Sequence, residues 1–128
     1  MAAKSSPPSL DRLRIRADFL RAARGIRRSN ASLTLETCPT PEPALKPDVL
    51  RVGFTASKKV GNAVARNRAK RRLRAAAAAL LPLYGVAGHD YVLVARTATL
   101  ARPFPALLED LKAALVAAMA AAAAKARA

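Results

Sequence analysis

This 128-residue chain predicts one domain of mixed helix and strand, on three observations. Residues 32–37 and 50–57 alternate apolar and polar side chains, the period of a half-buried strand. A long helical stretch starting at Asn62 is followed by a continuous apolar, β-rich run at 91–95, the order of a βαβ unit. After Pro103, Phe104, Leu107, Leu108, Leu111, Leu115 and Met119 recur at three- and four-residue steps, which predicts a closing amphipathic helix. The length supports roughly 100–120 ordered residues and one modest core. With 52% hydrophobic residues, no Trp, three Phe and two Tyr, that core must be built from Leu, Val and Ala.

In chain order, residues 1–9 carry Pro7 and Pro8 and read as a disordered leader. Residues 16–24 predict a short helix with Phe19, Leu20 and Ala23 at helical spacing and Gly25 as its C-terminal cap. Pattern alone leaves Phe19 two places, capping the core or lining a groove. The first strand puts Leu33 and Leu35 on one face and Ser32, Thr34 and Glu36 on the other. Four prolines make 38–48 a loop, beside which the lone Cys38 is a spare thiol. The second strand places Leu50, Val52, Phe54 and Ala56 inward and Arg51, Gly53, Thr55 and Ser57 outward, so the loop is expected to join two antiparallel neighbours. Asn62 caps a helix running to about residue 81, stopped by Pro82 and Gly85. His89 is expected in a surface turn. The tail at 120–128 is alanine-rich and expected to fray, leaving 10–119 as the folded domain.

Charge narrows the function. The net charge is +15, with seven cations between Arg12 and Arg28 and eight in residues 58–74, where no acid stands among them. On the predicted helix from Asn62, Ala65, Ala69, Leu73, Ala76 and Leu80 form a narrow apolar seam. Arg66, Lys70 and Arg74 form a row at i, i+4 and i+8, and Arg68, Arg71 and Arg72 continue around the helix. Like charges so spaced repel by a few tenths of a kcal/mol per pair, and a polyanion relieves that repulsion. A plain solvated basic face is the alternative.

Several classes are excluded. The apolar runs at 75–81 and 113–124 fall short of the roughly 18 residues a membrane span needs. No secretory signal pattern opens the chain, so the expected compartment is the cytoplasm. One His, one Cys and scattered acids offer no metal cluster, two-carboxylate centre or nucleophile with a base, so no catalytic residue is expected. What remains is binding to nucleic acid, with Phe19 and Phe54 as candidate stacking platforms; Phe54, on the inward face of its strand, is more simply core. A structural RNA-binding protein and an autonomous ribonuclease are the rival readings, and a membrane-active basic helix is remote because its seam is mostly alanine.

The stretch LRVGFTASKKVGNAVARNRAKRRLR at residues 50–74 resembles the signature of the bacterial ribonuclease P protein component, and the predicted element order fits that family from about Ser9 to Met119. The resemblance implies an α+β sandwich with a four-stranded sheet packed by helices and a left-handed βαβ crossover, where general rules favour the right-handed form. It implies an accessory subunit: the RNA component cleaves the 5′ leader from precursor tRNA, with Mg²⁺ held mainly by RNA and substrate. The protein binds the catalytic RNA and the leader, and no obligate protein partner or membrane is implied. By matched position, Lys59, Arg66, Asn67, Arg68, Lys70, Arg71 and Arg74 face the RNA, while Phe19, Thr55, Ser57 and Lys58 line the leader-binding cleft. Gly61 and Asn62 turn the chain so that the basic helix starts beside that cleft. Three departures stand out. Ala23 replaces a second cleft aromatic common one turn after Phe19, and Leu33 and Leu35 stand where the first strand often carries another. The proline-rich loop is longer than is usual in the family.

Overall fold

The computed structural model describes residues 7–127. Five strands form one sheet: β1 (Ser9–Arg12), β2 (Ile26–Ser29), β3 (Leu33–Pro39), β4 (Val49–Ala56) and β5 (His89–Ala95), in the order β1-β4-β5-β3-β2. Three α-helices accompany them, α1 (Arg16–Ala23), α2 (Ala63–Tyr84) and α3 (Phe104–Arg127). The α+β class and the β4–α2–β5 unit match the expectation, with β4 and β5 adjacent and parallel. The sheet has five strands instead of four.

The two strands that the sequence reading passes over are the edges. Strand β1 pairs parallel to β4 and β2 pairs antiparallel to β3, four residues each, mostly exposed. A strand so short and so little buried carries no hydrophobic alternation to detect. Because β1 begins at Ser9, the expected leader is one residue too long; its residues 1–6 lie outside the described part.

Strands β3 and β4 are not neighbours. Strand β5 pairs with both, antiparallel to β3 and parallel to β4, and its run of Tyr91, Val92 and Leu93 is buried on both faces, as a central strand should be. Strand β3 also runs on through Cys38 to Pro39, and a 3₁₀ turn at Glu42–Ala44 interrupts the proline-rich loop. Its expected solvent face is covered as well: Thr34, Glu36 and Cys38 are buried.

One face of the sheet carries the main core. Leu33, Leu35, Leu50, Val52, Tyr91 and Leu93 meet Ala69, Leu73, Ala76 and Leu81 of α2 and Leu107, Leu111 and Leu115 of α3. The alanine seam thus stands, shifted at its end from Leu80 to Ala77 and Leu81. Pro82 does not stop α2. It lies in the last turn, where it removes one backbone bond, and the helix closes at Tyr84 with the Gly85 N–H on the Leu81 carbonyl at 2.8 Å. Helix α3 continues to Arg127, with Ala118 buried and Met119 packed on the core. Helix α1 lies on the opposite face, over a second cluster of Leu13, Ala22, Cys38 and Val92. Among the described residues, no helix is long and apolar enough to cross a membrane.

Candidate nucleic-acid interface

Helix α1 is held on its face of the sheet by a buried charge network around Arg51, which the sequence reading places outward. Arg51 of β4 donates to both carboxylate oxygens of Asp90 on β5, Nε to Oδ1 at 2.8 Å and Nη2 to Oδ2 at 2.7 Å. The same Nη2 lies 3.3 Å from Asp18 of α1, which also accepts from Arg21 at 2.7 Å, and the Thr40 hydroxyl donates to Asp90 Oδ1. Asp90 is fully buried. Alternation alone assigned Arg51 to solvent because it cannot show that a helix from elsewhere in the chain covers that face.

Burial pushes the Asp18 carboxyl up, but the Arg21 hydrogen bond and the Arg51 charge outweigh burial and hold it below the usual carboxylate range. Asp110 is likewise held low, by the Ser32 hydroxyl and by Arg102. Both groups add stability above pH about 4 that is lost as pH falls through their lowered folded values. Glu36 acts in the opposite sense: burial raises it despite Arg27, so acid relieves it. The expected result is a melting temperature that falls between about pH 4 and pH 2, and falls less steeply in Asp18→Asn, as thermal unfolding across that range will show.

This network sets the place of Phe19. Its ring packs on the cluster around Val92 with Val94, so Phe19 is on the sheet face that also presents Thr55, whose register partner is Val94. Gly53 makes the packing possible: a Cβ there would come within 2.5 Å of the ring. Gly53→Ala should therefore displace Phe19 and cost about 1–3 kcal/mol. Chemical denaturation and the ring's NMR shifts measure the two effects.

Leu33 and Leu35, where a cleft aromatic was sought, belong to the other face and are wholly buried under α2 and α3. No platform exists at those positions.

The junction between sheet and basic helix is built from local rules. Ser57 caps a 3₁₀ turn at Lys58–Val60, its Oγ accepting from the Lys59 N–H at 3.3 Å, and Lys58 and Lys59 project from that turn, exposed. Gly61 follows at φ 143°, ψ −159°, a conformation open essentially to glycine. Asn62 then caps α2 as expected, its side chain accepting from the Ala65 N–H at 2.9 Å. Arg66 donates to the Gly61 carbonyl at 2.8 Å, so one member of the basic row also locks the turn.

Along α2 the cations divide. Asn67, Arg68, Arg71 and Arg74 are exposed, while Arg66 and Lys70 are half-buried. Arg72, counted in the basic circumference, is taken up internally: it donates to the carbonyls of Leu100 and Arg102 and ties α2 to the segment before α3. Lys70 and Arg74 border a groove of about 200 Å³ with Phe19, Phe54, Arg12 and Arg14. No acid lines it. The Arg74 guanidinium sits 5.2 Å from the Phe54 ring centroid, in the range of a cation–π contact.

Arg12 and Arg14 line the groove although sequence reasoning gave them no place there, and Phe54, weighed as a stacking platform but read more simply as core, does both. Phe54 is core-packed yet reaches the groove, because β1 pairs with β4 only as far as Val52 and leaves that strand's edge open beyond it. The cationic segment around Arg12 was visible, but nothing in it shows that β1 would pair with β4 and so place Arg12 and Arg14 beside α2. Cys38, expected beside a loop, is buried in the second cluster, and burial pushes its thiol up. His89 opens β5 and is half-buried. Among the described residues no group of three or more His, Cys, Asp or Glu could hold a metal ion.

Comparison with known proteins agrees in sequence and in fold. A family model described as Ribonuclease P matches residues 8–119. The chain is similar to the ribonuclease P protein component of Paramagnetospirillum magneticum, 56% identical over 108 residues that cover 83% of this chain and 80% of that one. It is 54% identical over 104 residues to the namesake protein of Ruegeria pomeroyi, covering 80% and 82%. In structure it resembles the RNase P protein of Staphylococcus aureus, with TM-score 0.67 and 27% identity over 84% of this chain and 94% of that one. The protein from Thermotoga maritima gives 0.64 and 25% over 79% and 91%.

Proposed function

This chain belongs to the ribonuclease P protein family, and from that membership we propose that it binds the catalytic RNA of ribonuclease P and the 5′ leader of precursor tRNA, promoting removal of the leader. The observation that carries the proposal is the acid-free groove in which Phe19 and Phe54 meet Lys70, Arg74, Arg12 and Arg14. Rings and cations in one groove suit a single strand, whose bases stack while its phosphates take the guanidinium groups. The exposed side chains of Arg68 and Arg71, elsewhere on the same helix, suit a second contact with RNA. Asn67 adds a group able to pair with a base edge. Thr55, Ser57, Lys58 and Lys59 complete the track, and the Ser57 oxygen, already bonded to the Lys59 N–H, serves it mainly by holding the turn.

The chain's contribution is to bind and to orient. Arg and Lys side chains stay protonated at neutral pH and make poor general bases, so these residues neutralise phosphate and fix the strand. Mg²⁺ held by the RNA and the substrate would supply the metal chemistry of the cleavage, with these side chains binding and orienting the strand. The groove partly offsets the loss of stacking at Ala23, since Phe54 brings a second ring within the same space.

Counterion release gives the test. With about six phosphates neutralised, the log–log dependence of affinity on salt should have a slope of roughly 4–5. Filter binding of the catalytic RNA across a salt series measures it, and a slope near 1 contradicts an extended basic interface.

A further inference from the structure

A second recess lies on the far side of the sheet from the basic groove. It measures about 470 Å³ and sits where the C-terminal ends of α1 and α3 meet the starts of β2 and β5 and the end of β3. Recesses that hold small ligands run from about 300 to 1,000 Å³. Three inter-strand spacings, about 14 Å, separate β2 from β4 and its groove.

Its lining is largely apolar and its rim is positive. Ile26 and Pro39 line it on the sheet side, and Ala122 and Ala126, one turn apart on α3, line it on the other. With only Ala122 and Ala126 on the wall between Lys125 and the sheet, the recess is a slot between α3 and the strand ends. Arg24 and Lys125 border it, both exposed and neither in an ion pair among the described residues, and no Asp or Glu lines it. Arg21, also at the recess, is already engaged by Asp18. His89 stands in the lining, and its Nδ1 is buried with no hydrogen-bond partner among the described residues. An unpaired buried nitrogen costs about 1–3 kcal/mol, and a turn of the ring toward the slot gives it a partner on a ligand.

An apolar slot, two cations at its mouth without an ion pair among the described residues, and one unsatisfied ring nitrogen suit a heteroaromatic anion. We propose that this recess binds a mononucleotide: the base enters between Pro39 and Ala122, its edge meets His89, and the phosphate lies between Arg24 and Lys125. The site shares no residue with the RNA interface, so a ligand here does not compete for Phe19 or the Arg66–Arg68 segment.

The full chain, labelled with ¹⁵N, is titrated with AMP, GMP, adenosine, inorganic phosphate and a penta-adenylate while the His89 ring and Ala122 amide signals are followed. The expected result is that a mononucleotide moves both signals at a concentration at least tenfold below that needed with adenosine or phosphate. Ala122→Phe, which fills the slot, should weaken binding tenfold or more. Lys125→Glu, an exposed change that leaves packing intact, should do the same, and Arg66→Ala/Arg68→Ala should have no effect. The proposal is overturned if neither signal moves at millimolar mononucleotide, or if phosphate alone binds as well. It is also overturned if binding survives both slot variants and is lost with the arginines of α2, or if the penta-adenylate binds here more than tenfold tighter than AMP.

Discussion

Replacing Arg66 and Arg68 together with Ala should weaken binding of the catalytic RNA by about 100-fold, since each charge-assisted hydrogen bond contributes about 1.5 kcal/mol or more and every 1.4 kcal/mol is tenfold. The two losses differ in kind. Arg68 is exposed and makes no hydrogen bond or ion pair among the described residues, so Arg68→Ala should remove only the proposed contact with RNA. Arg66 also holds the Gly61 carbonyl, so Arg66→Ala should loosen the turn that aims α2 as well as remove the proposed phosphate contact. Arg66→Ala should therefore be the more damaging single change, and its thermal stability should drop by about 1 kcal/mol while that of Arg68→Ala does not. Binding isotherms at fixed salt with parallel melts separate these effects. Equal affinity of the double variant and the parent would mean that the basic helix is merely solvated.

The second large effect lies in the fold itself. Asp90→Ala should destabilise the domain by about 3–5 kcal/mol, because it leaves the largely buried Arg51 guanidinium without the carboxylate that takes two of its hydrogen bonds. The Thr40 hydroxyl loses its acceptor in the same change. Against a total of about 5–15 kcal/mol for a domain, this is a large share, equal to a melting temperature lower by about 10–20 °C. Replacing both partners with apolar residues, Arg51→Met with Asp90→Leu, should cost far less, since no charge is then stranded. Thermal unfolding followed by circular dichroism tests the pair. A loss below 1 kcal/mol in Asp90→Ala would show that the network does not anchor α1.

How far the sequence could be read follows from what each signal depends on. Local chemistry was legible: Asn62 as a cap, the turn at Gly61, the alanine seam from Ala69 to Ala76 and the buried run of β5 all depend on neighbours within one or two turns. Long-range pairing was not. Nothing around Leu33 or Leu50 states that β5 will come between their strands, and β1 acquires its conformation only by pairing with partners 40 residues away, while the short β2 pairs locally with β3 but carries no apolar alternation to mark it. The same gap hid Arg51. Its partners Asp18 and Asp90 lie 33 positions before it and 39 after it, and only the folded sheet brings all three together. At the interface, the motif on α2 gave most of the cations, whereas Arg12, Arg14 and Phe54 joined them through the register of β1 on β4. Arg72 shows the converse error, a cation within the basic run whose acceptors are the chain's own carbonyls.

The central claim is that this chain promotes cleavage by an RNA and does not itself cleave. Leader removal from a precursor tRNA at low Mg²⁺, with protein alone, catalytic RNA alone and both together, tests it most directly. The account predicts no cleavage by the protein, slow cleavage by the RNA, and much faster cleavage by the pair that is lost with Arg66→Ala/Arg68→Ala. Unchanged RNA activity in the presence of the protein, or cleavage by the protein alone, would contradict it.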